Sequence, residues 1–286
     1  MAAKDGHGGD LAREESFAKT ARRAVSAHRH VPYPARMRRR LLLLLPLVAR
    51  PCRAQSADGA APVRVLSAGA MEPGLEAAIA RFRATGGPPV QVAYATAPVL
   101  RERLAAGETP DLLIAPVGLV NELATAGRLT GERATLGRVG VGVAVREGAP
   151  VPEIGDTAAF RRAIEEAERV VFNRASTGLY LDRLFERLGM TAMVTPKAVR
   201  TATGAEVMRH LVAGSGREIG LAPVTEILMV PQVRFVGPLP AEIQNFTAYA
   251  AALLPNGPPG AAALFAHLAG PEARAAFATA GIEAVP

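Results

Sequence analysis

The chain has 286 residues, with 33 Lys and Arg against 26 Asp and Glu, a net charge of +7, and 49% apolar residues. Such a balance suits a nucleic-acid or membrane-surface partner, but it is confined to one end: residues 1–54 hold 12 basic and 4 acidic residues, and the rest hold 21 and 22. The larger part is therefore near neutral, which argues against nucleic acid, and with Cys52 the only cysteine it has neither disulfide nor thiol nucleophile.

Met37 is followed by three arginines, an apolar run from Leu41 to Val48, and small and polar residues through Ala54, the layout of a secretory signal peptide. Pro46 interrupts the run and Arg50 closes it, short of the about 20 apolar residues of a membrane span. Residues 1–36 show no periodic apolar face, so they read as a disordered extension or a mis-assigned start. Residues 37–54 read as the signal, cleaved near Ala54, and the product as periplasmic. Export without disulfides leaves stability to the core, and about 230 residues rich in Ala, Leu and Val suffice for one large or two small cores.

From Val63 onward strands and amphipathic helices alternate. "VRVLSA" reads as a strand and "EPGLEAAIARFRATGG" as a helix, with Leu75, Ala78, Ile79 and Phe82 at helical spacing and Gly86 and Gly87 as its stop. "VQVAYA" (strand), "PVLRERLAAG" (helix with Pro98 in its first turn) and "DLLIAP" (strand) complete a βαβαβ unit, the signature of a parallel sheet covered by helices. The long strand "RVGVGVAVREG" leads to a second series: helix "TAAFRRAIEEAE", strand "RVVFN", helix "GLYLDRLFERLG", strand "KAVRTA", helix "GAEVMRHLVAG", and "EIGLAPVTEIL" passing from strand to helix. The chain returns through "VRFVGPLP" and "QNFTAYAAALL" to one last helix, "GAAALFAHLAGPEARAAFATAG". The expected architecture is α/β and two-lobed, residues 62–138 and 240–286 forming lobe 1 and residues 139–239 lobe 2. Hinges are expected near 139–146 and 243–254, with a ligand cleft between the lobes.

The catalytic inventory is thin. Beyond residue 54 there are two histidines, His210 and His267, on separate helices, one lysine, Lys197, no metal-ligand cluster, and neither a G-x-S-x-G nor a Walker-type motif. Neither metal nor cofactor is expected. What recurs is a strand ending in small or hydroxyl residues where a helix begins: "LSAGAMEPG", "YATAPV", "NRASTGLY" and "TATGAEV". Each junction offers first-turn N–H groups without intrahelical partners, and Ser67, Thr96, Ser176, Thr177 and Thr203 are candidate hydroxyl donors. Helix N-termini bind anions, and in α/β sheets ligands sit at the C-terminal strand ends.

The stretches "VLSAGAMEPGLEAAIARFRATGG", "LRERLAAGETPDLLIAP", "VGVAVREGAP", "STGLYLDRLFERLG", "EVMRHLVAGSGREIGLAPVTE" and "GPEARAAFATAG" follow in order through most of residues 63–282. Together they resemble the molybdate-binding proteins of ABC uptake systems, which have the type II periplasmic binding-protein fold. The resemblance implies an extracytoplasmic solute-binding protein, monomeric, with a small anionic ligand and a membrane permease as partners. Together with the junctions, it gives as expected ligand residues Ser67, Gly69, Ala70, Met71, Thr96, Ala97, Ser176, Thr177, Gly178, Gly204 and Ala205, mainly through backbone N–H groups. Where molybdate binders use two serines and a tyrosine, this chain has Ala70, Ala97 and Pro223, which shifts the expectation from a molybdate-like oxyanion toward a small organic acid. Arg174 is a candidate to pair its carboxylate. The alternative is an exported enzyme of unknown reaction on the same fold, with Glu226, Asn173, Arg174 and Tyr180 as isolated candidates.

Overall fold

The computed structural model describes residues 61–255 and 257–286. The expected extension (1–36) and signal peptide (37–54) lie outside the described residues.

The first lobe opens with β1 (Val63–Ala68), a 3₁₀ turn (Gly69–Met71), α1 (Glu72–Ala84), β2 (Val90–Ala95), α2 (Ala97–Ala105), β3 (Leu112–Pro116) and α3 (Val117–Thr125). The long strand β4 (Arg133–Arg146) then leads out of it. The second lobe holds α4 (Thr157–Glu166), β5 (Arg169–Asn173), α5 (Ser176–Arg187), α6 (Thr191–Val194), β6 (Ala198–Thr201), α7 (Gly204–Ala213), β7 (Glu218–Pro223), α8 (Val224–Leu228) and β8 (Val233–Pro238). The chain returns through β9 (Phe246–Leu253) to α9 (Pro259–Ala269) and α10 (Pro271–Thr279).

Two sheets share β4. In the first the order is β2-β1-β3-β9-β4, with β1 parallel to β2 and β3, and β9 antiparallel to both β3 and β4. In the second, β5 is parallel to β6 and β7, and β4 lies antiparallel between β7 and β8. β4 pairs with β9 through Gly140 and with β7 and β8 from Val141 and Gly142 onward, so it changes sheet within one residue step. At that step the Gln244 amide is doubly bonded to the Val141 backbone: its Oε1 accepts from Val141 N at 3.0 Å, and its Nε2 donates to Val141 O at 3.1 Å. Residues just before β9 thus fasten one crossing to the other.

Each sheet is buried beneath helices. Leu75, Ala78, Ile79 and Phe82, the stripe read from α1, pack with Leu66, Leu112, Ile114, Leu264 and Phe277 in the first lobe. The second sheet has a core on each face, Phe160, Phe172, Leu181 and Phe185 on one and Val171, Val207, Met208 and Leu211 on the other.

Two expectations need correction. The last helix is two helices, because Pro271 has no N–H to donate into α9 and holds Gly270 extended (φ −81°, ψ 172°). A further helix, α3, is absent from the expected elements; it carries no side-chain cap to announce its start and buries Leu119, Val120 and Leu123.

This topology positions the site. Parallel β1, β2 and β3 deliver Ala68, Ala95 and Pro116 to one sheet edge, and parallel β5, β6 and β7 deliver Asn173, Thr201 and Pro223 to another. The helices that follow begin there. α8 ties the two edges together: the buried Thr225 hydroxyl donates to the Ala70 carbonyl at 2.7 Å.

Candidate functional site

Between the two sheet edges lies a cavity of about 610 Å³. The first lobe lines it with Gly69, Ala70, Glu72, Tyr94, Thr96, Ala97 and Tyr249, and the second with Asn173, Ser176, Thr177, Gly204, Ala205, Arg209 and Glu226. Ala68, Ala95, Met208, Val212, Met229 and Val230 give it apolar walls.

Of the eleven ligand residues expected from the sequence, Gly69, Ala70, Thr96, Ala97, Ser176, Thr177, Gly204 and Ala205 line this cavity, as do Thr203, Asn173 and Glu226. Three of the eleven do not. Ser67 is fully buried within β1 and its hydroxyl donates to the carbonyl of Ala68 at 3.2 Å, because a residue inside a central strand points into the core. Met71 is fully buried in the first-lobe core. Gly178 packs so closely on Asn173 that an added Cβ would stand 1.7 Å from the Asn173 carbonyl oxygen. Its N–H is taken by Asn173 Oδ1 at 3.1 Å. Arg174 is exposed and off the lining, and Tyr180 donates its hydroxyl to the Ile243 carbonyl at 2.7 Å, away from the cavity.

The junctions differ in how much donor capacity they leave free. At α5, Asn173 Oδ1 accepts from Ala175 N at 3.0 Å as well as from Gly178 N, so the amides without an intrahelical acceptor are those of Ser176 and Thr177. At α7, Thr203 Oγ1 accepts from Glu206 N at 3.2 Å and Glu206 Oε2 accepts from Ala202 N at 2.8 Å, a reciprocal cap. The Thr203 hydroxyl therefore serves its own helix, and the amides of Gly204 and Ala205 remain. At α2, Thr96 occupies the N-cap position without a side-chain capping bond and faces the cavity. Thus α2, α5 and α7 open their N-termini, with their partial positive charge, onto one space from two lobes.

Into that space project two carboxylates. Glu226, in α8, lies against the first residue of α7: a Cβ on Gly204 would fall 1.5 Å from Glu226 Oε2, and a Cβ on Gly69 would meet Oε1 at 3.5 Å. Oε2 is enclosed and has no hydrogen-bond partner among the described residues. Burial, and then the charge of Glu72, push this carboxyl up to about 7. Glu72, at the start of α1, is raised as well, by burial and then by Glu76. Tyr249 is buried and raised, first by burial and then by Glu226. Tyr94 donates to Glu76 Oε1 at 2.7 Å and is likewise held in its neutral form by burial and that bond. Arg209 is the cation on the lining, its guanidinium 3.4 Å from Glu206.

In the sequence Glu226 stands as an isolated candidate, and nothing there marks Glu72, Tyr94, Tyr249 or Arg209 as site residues. The available signal was positional. Glu226 stands three residues past the end of β7, at a strand-to-helix junction of the same kind as the four that drew attention. Among the described residues no group of three or more His, Cys, Asp and Glu is placed to hold a metal ion.

The family of bacterial extracellular solute-binding proteins matches residues 63–283. An aconitate isomerase of a Pseudomonas species is 31% identical over 222 residues, which is 74% of this chain and 83% of that protein. Among solved structures, the periplasmic molybdate-binding protein of Azotobacter vinelandii superposes with a TM-score of 0.66 at 16% identity, covering 78% of this chain and 99% of that one. The sulfate-binding protein SubI of Mycobacterium tuberculosis gives 0.64 at 18% identity, covering 79% and 88%. A putative phosphate ABC transporter substrate-binding protein of Clostridium perfringens, with bound phosphate, gives 0.59 at 13%, covering 79% and 100%. At these identities the superpositions establish the fold.

Proposed function

The chain belongs to the bacterial extracellular solute-binding proteins, and from that premise we propose that it is a periplasmic receptor for a small organic polycarboxylate, which it hands to the membrane permease of an ABC-type uptake system. The observation that carries this reading is the convergence of three helix N-termini from two lobes on one cavity with apolar walls. Its volume of about 610 Å³ is within the roughly 300–1,000 Å³ of sites for organic ligands. At Ala70 and Ala97 the wall offers methyl groups, which suit a carbon skeleton and give nothing to a bare oxyanion. Two or three carboxylate groups on one skeleton would engage amides of both lobes at once and draw them together about crossings near 139–146 and 243–254. The resemblance to an aconitate isomerase supports a tricarboxylate of that size.

A thermal-shift panel tests the reading: aconitate, propane-1,2,3-tricarboxylate, succinate, molybdate, tungstate and sulfate. A ligand at 100 times its dissociation constant stabilises by about 2.7 kcal/mol, which for a chain of this size is an upward shift of roughly 5–11 °C. Shifts with the tricarboxylates are expected. Shifts confined to molybdate and tungstate would replace the organic ligand with an oxyanion.

A further inference from the structure

We propose that Glu226 is a catalytic residue: it takes a proton from one carbon of an unsaturated polycarboxylate held in this cavity and returns it to another, displacing the double bond. The inference goes beyond binding but rests on the reading above, because a carboxylate ligand must first be seated on the helix N-termini.

An ionised carboxylate works against anion binding in its own site. It repels the ligand, and an enclosed carboxylate oxygen without a hydrogen-bond partner costs stability. Yet the fold keeps this one in place. Glycine at 204 leaves the room that Oε2 occupies, and glycine at 69 flanks Oε1 on the opposite lobe. The group thus stands where ligand carboxylates bound at α5 and α7 would bring their carbon skeleton. Its environment matches an acid–base role: with the carboxyl at about 7, both protonation states are populated at neutral pH, as a group that must accept and then donate a proton requires. Glu72 from α1 and Tyr249 from β9 stand near enough to interact with its charge, and Arg209 from α7 lines the same cavity. The two tyrosines of the lining, raised above their ordinary range, stay neutral.

The double bond is needed because a hydrogen next to a lone carboxylate is far too weakly acidic for such a base. When that carbon is also allylic, the electron pair released has somewhere to go. Glu226 breaks the C–H bond and becomes protonated. The C–H pair becomes a new C=C bond, and the former π pair moves to the far carbon and onto the oxygens of its carboxylate. Free amides at Ser176, Thr177, Gly204 and Ala205 are placed to stabilise the charge gathering on those oxygens. Glu226 then delivers its proton to the far carbon, the double bond has moved by one position, and no oxidant, reductant or second substrate is consumed.

The test is proton NMR of the full secreted protein in D₂O with the unsaturated tricarboxylate of the panel, and with propane-1,2,3-tricarboxylate as a ligand lacking the double bond. The wild type should move the double bond of the unsaturated acid, with solvent deuterium entering its carbon to the extent that protonated Glu226 exchanges before delivery, at a rate rising with pH through about 7 as Glu226 becomes the free base. Glu226→Gln should slow this by about 10²–10⁴-fold while keeping the thermal shift with the saturated acid, which shows that fold and site survive. Glu226→Asp, a shortened carboxylate, should be slow but keep the pH profile. Tricarboxylate binding with neither movement of the double bond nor deuterium incorporation between pH 6 and 9 would overturn the catalytic role and leave the receptor, as would a Glu226→Gln variant of wild-type rate. Absence of binding would overturn both.

Discussion

Glu226→Gln removes one ionisable proton from the cleft and nothing of comparable size, so its effect on stability can be worked out with its sign. The carboxyl moves from an ordinary value near 4.5 to about 7 on folding, through burial and the charge of Glu72. A raised acid means that the folded protein binds more protons than the unfolded chain between those values. Its contribution is fully present below about 4.5 and is lost as the pH climbs through about 7. At roughly 1.4 kcal/mol per pH unit, the wild type carries a penalty of about 3 kcal/mol at pH 8.5 that the glutamine variant lacks. Tyr249, Glu72 and Arg209 share the cavity and are common to both proteins, so they largely cancel in the difference. Urea unfolding of the two proteins at pH 5 and pH 8.5 measures it directly. The unfolded carboxyl is already largely ionised at pH 5, so the variant should gain on the wild type by about 2.5 kcal/mol between the two pH values, seen also as roughly 5–10 °C in Tm. A difference that stays constant with pH would show that Glu226 is solvated or paired in the folded protein, and the argument for an enclosed carboxylate would fail.

Three further outcomes follow from the same geometry. Asn173→Ala strips the acceptor from the buried amides of Ala175 and Gly178, so it should cost about 2–4 kcal/mol in denaturant unfolding and weaken tricarboxylate binding by loosening the start of α5. Gly204→Ala drives a methyl group into Glu226 Oε2 and should cost about 1–3 kcal/mol together with at least tenfold in affinity by calorimetry, whereas Gly69→Ala, with an ordinary 3.5 Å contact, should leave stability nearly unchanged. Thr225→Val leaves the Ala70 carbonyl without its buried donor and should lower stability by about 1–3 kcal/mol, with faster amide hydrogen exchange in the turn at Gly69–Met71.

The architecture was legible because it is written in local periodicity. The spacing of Leu75, Ala78, Ile79 and Phe82 specifies the buried face of α1, and the β-rich runs at Val63–Ala68, Val90–Ala95 and Arg169–Asn173 coincide with strands. The junctions were legible for the same reason, since small residues at a strand end followed by a helix start are a sequence pattern. What a junction residue does there is set by partners far away. Ser67 and Thr96 look alike in sequence, but one lies inside a central strand with its hydroxyl on a neighbouring carbonyl, and the other faces the cavity. Thr203 is spent on its own helix by Glu206. Glu226 was the hardest to read, because its character comes from enclosure between Gly69, 157 positions earlier in the chain, and Gly204, and neither contact has a local signature.

The central claim is that an organic polycarboxylate sits between the lobes on helix N-termini. A crystal structure of the secreted protein grown with propane-1,2,3-tricarboxylate, which cannot react, tests it most directly. The account predicts one molecule in the cavity, one carboxylate on the amides of Ser176 and Thr177, a second on those of Gly204 and Ala205, and its carbon chain against Ala70 and Ala97. A cleft that stays empty at saturating ligand, or a molecule bound outside the cavity with those amides untouched, would contradict it.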